Sequence, residues 1–208
     1  MSSPLPIASF AKAAAGSAAL AVLCHFLPLG AWALVLRDSL GHIAFAYAVA
    51  ALLFRFSPLG APAAPFIDAG SPPLPAAARW LSGVTMLQIF LGALYRHGVT
   101  GFAPHLTGAL LASAFLLYVA TGVFTPAPAG HRCRQAAFAL LWVTLAQIGL
   151  GIGAYFVKVN LDAGQPIQKG MVGLTHSHIL TGALTLTMVL VLAVLLRRDV
   201  VAEAPSRT

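Results

Sequence analysis

Acidic residues are scarce. Five Asp and Glu stand against twelve Lys and Arg in 208 residues, and charged residues of both signs make up only 8%. Ordinary soluble domains carry about 25% charge, so a water-covered globule is excluded. The basic excess, a formal +7, is scattered singly or in pairs at the ends of apolar runs. It forms no stripe of the kind a phosphate backbone requires, so nucleic acid is excluded as a partner. No Asp or Glu falls in the interior of an apolar run, Asp38 lying at an edge, which argues against a carboxylate relay for protons or ions. Cysteine is limited to Cys24 and Cys133. The topology derived below puts them on opposite sides of a membrane, where no disulfide can join them. The chain has no Cys-x-x-Cys-His attachment sequence. It also lacks a phosphate-cradling Gly-rich loop, a nucleophile elbow and a zinc-protease signature.

What the chain has is apolar length. Hydrophobic residues make up 59% and the mean hydropathy is +0.88. A membrane helix needs roughly 20 apolar residues. Six runs qualify, over about 7–27, 40–56, 77–95, 104–124, 134–157 and 171–196. The expected fold is therefore all-α: one integral membrane domain of about six transmembrane helices in a bundle. The first run is read as a membrane helix and not as a cleaved signal, because the later segments need an even partner. The Pro-, Gly- and Ala-rich stretch 57–76 cannot propagate a helix and reads as an irregular loop. A second break falls at 125–130, and a disordered tail is expected over 199–208.

Basic residues orient the bundle. With both termini inside, Lys12, Arg55, Arg79, Arg132, Arg134, Arg197, Arg198 and Arg207 lie on the inner side, and Arg37, Arg96, Lys158 and Lys169 on the outer side. The expected location is a bacterial inner membrane with cytoplasmic termini. Six of the seven histidines then fall at the outer face: His25, His42, His97, His105, His176 and His178. Imidazoles near a bilayer are costly to bury without a partner, and neutral imidazole is a frequent metal and haem-iron ligand.

Two helical hairpins look alike. Gln88-Ile89-Phe90-Leu91-Gly92 in the third run matches Gln147-Ile148-Gly149-Leu150-Gly151 in the fifth. The helix after each opens with a histidine just before Thr-Gly-Ala-Leu: His105 in the fourth run, His178 in the sixth. Gly108 and Gly182 follow those histidines by three and four residues, on the same helix face, where they would let a flat macrocycle approach the backbone. Close helix–helix packing through small residues is the competing use. His42, His105 and His178 are the first candidates for ligation. His176, two residues from His178, points about 200° away from it on a helix and replaces it only if the helix begins later. Arg96 is a candidate grip for a carboxylate such as a haem propionate, with interfacial anchoring the alternative. His97 beside it is either solvated or in the same contact. Gln88 and Gln147 either bond across helices or line a cofactor pocket. His25 reads as interfacial, and His131 as a solvated loop residue.

The run LQIFLGALYRHG followed by PHLTGALLASAFLL resembles the paired helices of the heme A synthase family, the cytochrome oxidase assembly proteins. So does LAQIGLGIGAYF followed by THSHILTGALTLTMVLVLAVLLRR. The resemblance covers roughly residues 84–124 and 140–198. It implies a haem-binding bundle related to a family of eight helices in two similar halves, each half with a histidine pair on its second and fourth helices. It makes His42 and His105 one such pair and His178 the surviving ligand of the other. Around His42 the sequence reads Leu40-Gly41-His42-Ile43, without the Glu and Arg the family carries there. The expectation is a membrane haem b protein, haem A or haem O being less favoured, with bis-histidine ligation. Surrounded by membrane lipid, it would exchange electrons with a quinol or with neighbouring respiratory-complex subunits. The alternatives are a divergent heme A synthase acting on haem B, a non-catalytic subunit of a respiratory complex, and an outer-side copper or zinc site.

Overall fold

A computed structural model describes residues 6–164 and 169–202 of the chain. Six helices dominate it: α1 (Ile7–Cys24), α2 (Ala31–Phe56), α3 (Leu74–Arg96), α4 (Phe102–Phe124), α5 (Arg132–Asp162) and α6 (Lys169–Asp199). Each is long and apolar enough to cross a membrane, so the chain is an all-α polytopic bundle.

The helix ends differ from the expected ones for local reasons. α1 stops at Cys24, short of Pro28, and Gly30 turns the chain with φ +55°, a left-handed conformation that favours glycine. α2 then begins at Ala31 and not near 40. Arg37 and Asp38 therefore lie within the helix, where the Asp38 carboxylate accepts from Arg37, Arg96 and His97. α5 runs to Asp162. At 1.5 Å per residue it exceeds the ~30 Å hydrocarbon thickness, and its last turn carries the exposed pair Lys158–Asp162.

α6 is the most enclosed helix. Leu186, Leu192, Leu195 and Leu196 are fully buried. They belong to one core with Ala46 and Ala50 of α2, Ala77 and Leu81 of α3 and Leu140 of α5. Alanines at these contacts let the backbones come close, which is how helices associate where lipid is as apolar as leucine. α3 packs on α4, α4 on α5, α5 on α6 and α6 on α3. These four make a closed bundle with α4 and α6 on one diagonal. The α1–α2 hairpin is added on the side of α3 and α6.

The end of the bundle formed by the starts of α3 and α5 and the end of α6 is closed by the 57–73 segment. It is not irregular throughout. Pro58–Gly60 forms a 3-10 turn, and β1 (Phe66–Asp68) pairs in parallel with β2 (Val200–Ala202), in the register Phe66–Val200, Ile67–Val201, Asp68–Ala202. The expected tail thus begins as a strand; residues 203–208 lie outside the described residues. Asp68 bonds the backbone N–H of Gly70 and of Leu74, the latter at 2.6 Å, fixing the start of α3.

Candidate functional site

His105 in the first turns of α4 and His178 on α6 face each other across the diagonal of the α3–α6 bundle. Their ring centres are 6.4 Å apart and their planes cross at 85°. The two imidazoles are held in parallel ways. A Cβ on Gly92 would lie 3.0 Å from Cε1 of His105, and one on Gly151 would lie 2.9 Å from Cε1 of His178. Each ring therefore lies on a glycine of the preceding helix. Each Nδ1 meets the glutamine one turn before that glycine. His178 Nδ1 donates to the backbone carbonyl of Gln147 at 3.1 Å. Because a carbonyl can only accept, this leaves Nε2 as an acceptor, and it faces the Gln147 side-chain Nε2 at 3.5 Å. Gln88 Nε2 lies 3.0 Å from the carbonyl of His105 and 2.9 Å from its Nδ1. The carbonyl fixes the amide as donor, so here Nδ1 accepts. Gln88 Oε1 is left buried without a partner, so its hydrogen-bond pattern is incomplete as it stands.

Aromatic rings enclose the pair on the α3–α4–α5 side. Tyr95 lies parallel to His105 at 6.1 Å and Phe102 is 6.3 Å from it; Phe102 stacks on Tyr155 at 4.3 Å. The sequence repeat is thus a structural one: two hairpins, each presenting an imidazole. The glycines expected to approach a macrocycle do something else. Gly108 is covered by Gln88 and Leu91, and Gly182 by Gln147, whose amide accepts from the Thr181 hydroxyl.

The spacing of the ring centres equals that of two imidazoles on one metal. Two imidazole–metal bonds of about 2.0–2.1 Å, each with roughly 1.2 Å from nitrogen to ring centre, span about 6.4 Å. The donor set is two imidazole nitrogens without carboxylate, a set open to zinc, copper or iron alike. With Nδ1 accepting from Gln88, the His105 ring proton sits on Nε2, so a metal there requires Gln88 to release Nδ1.

The other predicted residues lie elsewhere. His42 Nδ1 donates to the Asp38 carbonyl at 2.6 Å, which leaves its Nε2 free. The ring lines a cavity of about 560 Å³ between α1, α2, α3 and α6, together with Arg37, Asp38, Arg96 and Ile179. Arg96 and His97 both bond Asp38, His97 at 2.8 Å, so neither is held toward the imidazole pair. His176 is exposed, as is His25, and His176 bonds the Val172 carbonyl of its own helix.

At the opposite end lies a cluster that sequence reasoning missed. His131, Cys133 and Asp199 bring three ligand-type atoms within 4.8 Å of one another. His131 is not solvated: its side chain is 6% exposed and packs edge-on to Phe66. Its Nε2 donates to the Ala64 carbonyl at 3.0 Å and its Nδ1 accepts from the Cys133 N–H. Asp199 is taken by Arg132, whose Nε lies 2.7 Å away and which also donates to the Leu59 and Ala61 carbonyls. Both ring nitrogens are occupied and a buried cation is already present, so the cluster reads as a clamp and not as a metal centre. Its three residues come from the start of α5 and the end of α6, with only the Arg132-Cys133-Arg134 run as a signal.

Fold and site together define a polytopic membrane bundle with an imidazole pair across its core. Comparison with protein-family models, with curated proteins and with solved structures finds no match.

Proposed function

We propose that the chain is a membrane b-type haem protein in which His105 and His178 ligate the iron and which carries electrons. The observation that supports this most is the 6.4 Å spacing of two imidazoles delivered by like hairpins on diagonal helices. A haem held there supplies a one-electron ferric–ferrous couple. The chain's own residues do the rest. The Gln147 carbonyl takes the Nδ1 proton of His178 into a hydrogen bond, which orients the ring and would make Nε2 a better donor to iron once the Gln147 side chain, 3.5 Å from it, moves aside. Gly92 and Gly151 set how deep each ring lies. Tyr95, Phe102 and Tyr155 keep water from one side. The basic residues favour cytoplasmic termini, which puts the pair near the outer leaflet of, on this reading, a bacterial inner membrane. The electron partner is then a quinol or a neighbouring respiratory subunit.

The test is a visible absorption spectrum of detergent-purified protein, oxidised and dithionite-reduced, with a pyridine haemochrome. A sharp reduced alpha band of six-coordinate haem b is expected. A preparation that stays colourless after incubation with haem overturns the proposal. A haem A signal would instead support chemistry like that of the heme A synthase family.

A further inference from the structure

The cavity beside His42 is not used by the imidazole pair. Its outer wall is the end of α1 and the turn after it, where Val22 and Phe26 are 61% and 76% exposed, so it opens toward lipid. Its volume, about 560 Å³, is that of a small-molecule pocket. Its polar lining is Arg37, Asp38, His42 and Arg96, with the exposed His25 beside Val22 and Phe26. His42 offers Nε2 as an acceptor, because Nδ1 is committed to the Asp38 carbonyl. Asp38 itself is saturated by Arg37, Arg96 and His97 and only 12% exposed. The guanidiniums of Arg37 and Arg96 keep further N–H groups and a net positive charge. Ile179, next to His178, forms part of the wall.

We infer that this cavity binds the headgroup of a lipid-soluble aromatic diol, that is, a quinol. One ring oxygen donates to His42 Nε2, the other accepts from Arg37 or Arg96, and the apolar tail leaves past Val22 and Phe26. A phosphate headgroup would use the arginines but leave the His42 acceptor without a proton to accept. The inference deepens the electron-carrier reading by naming the partner class, but binding at the cavity does not require haem.

The chain is therefore tested without haem. Purified apo-protein in neutral detergent is titrated with a short-tailed alkyl benzoquinone and with its reduced diol, and heat is read by calorimetry. Saturable binding of the diol is expected, weaker for the benzoquinone, and weakened about tenfold or more, the equivalent of 1.4 kcal/mol, in His42→Ala and in Arg96→Ala. Gly41 also lines the cavity, and a Cβ there meets nothing within 4 Å. Gly41→Leu should abolish binding while leaving thermal unfolding unchanged, which separates loss of the site from loss of the fold. Binding that is equal in wild type and Gly41→Leu overturns the inference. So does displacement of the probe by an anionic phospholipid with no dependence on His42. A colourless protein that still binds the diol refutes the haem reading alone.

Discussion

At the scale of single residues, the two imidazoles of the pair are held by different groups. His178 is fixed by a main-chain carbonyl, which no side-chain substitution removes, whereas His105 depends on the Gln88 amide. His178→Ala is therefore expected to lose bound haem. His105→Ala should retain a smaller, five-coordinate fraction on His178, read from the spectrum of the reduced protein. On the haem reading, Gln88→Leu removes the donor that holds the His105 proton on Nε2 and should raise haem affinity, as read by haem titration. Gly151→Ala places a methyl group 2.9 Å from Cε1 of His178 and should destabilise the fold by about 1–3 kcal/mol through overpacking, measured by denaturant unfolding in detergent. Much of this set was legible in the chain, because histidine and glutamine stand out against apolar neighbours. The pairing was not. His42, His105 and His178 are alike in sequence, and only the packing order of the helices puts the last two on one diagonal. Nor could spacing show that Gly108 and Gly182 receive glutamine side chains.

At the scale of elements, the six membrane helices were readable because each is a long apolar run. The strand pair was not: β1 and β2 have three residues each and are joined by contacts more than 130 positions apart in the chain. The Pro-rich 57–73 segment looked structureless because its order comes from outside it, through Arg132, His131 and β2. That dependence makes the clamp testable. Arg132 and Asp199 have side chains 9% and 3% exposed, and removing one partner leaves an uncompensated buried charge. Arg132→Ala is expected to cost about 3–5 kcal/mol, with the double variant Arg132→Met/Asp199→Leu considerably milder. Stepwise denaturation followed by helical circular dichroism distinguishes the two. A single variant as stable as wild type would show that the pair does not hold this end together.

At the scale of the whole molecule, an even number of crossings puts both termini on one side of the membrane. On the proposed orientation that side is the cytoplasm, as the bias of basic residues favours. Reporter domains fused at residue 1 and at residue 208 should both report the cytoplasm; opposite sides would mean that one helix does not span. The imidazole pair is then near one surface and the Arg132–Asp199 clamp near the other, so ligand exchange and mechanical closure are kept a membrane thickness apart. The two imidazole-bearing hairpins run in the same direction, which makes the axis relating them parallel to the membrane normal. A lone hairpin pairing with an identical copy would build such a site from half the coding length. Fusing two copies of its gene would turn a symmetric homodimer into one polypeptide, freeing each half to mutate on its own, and unequal contacts such as those of Gln88 and Gln147 are what such divergence would leave behind.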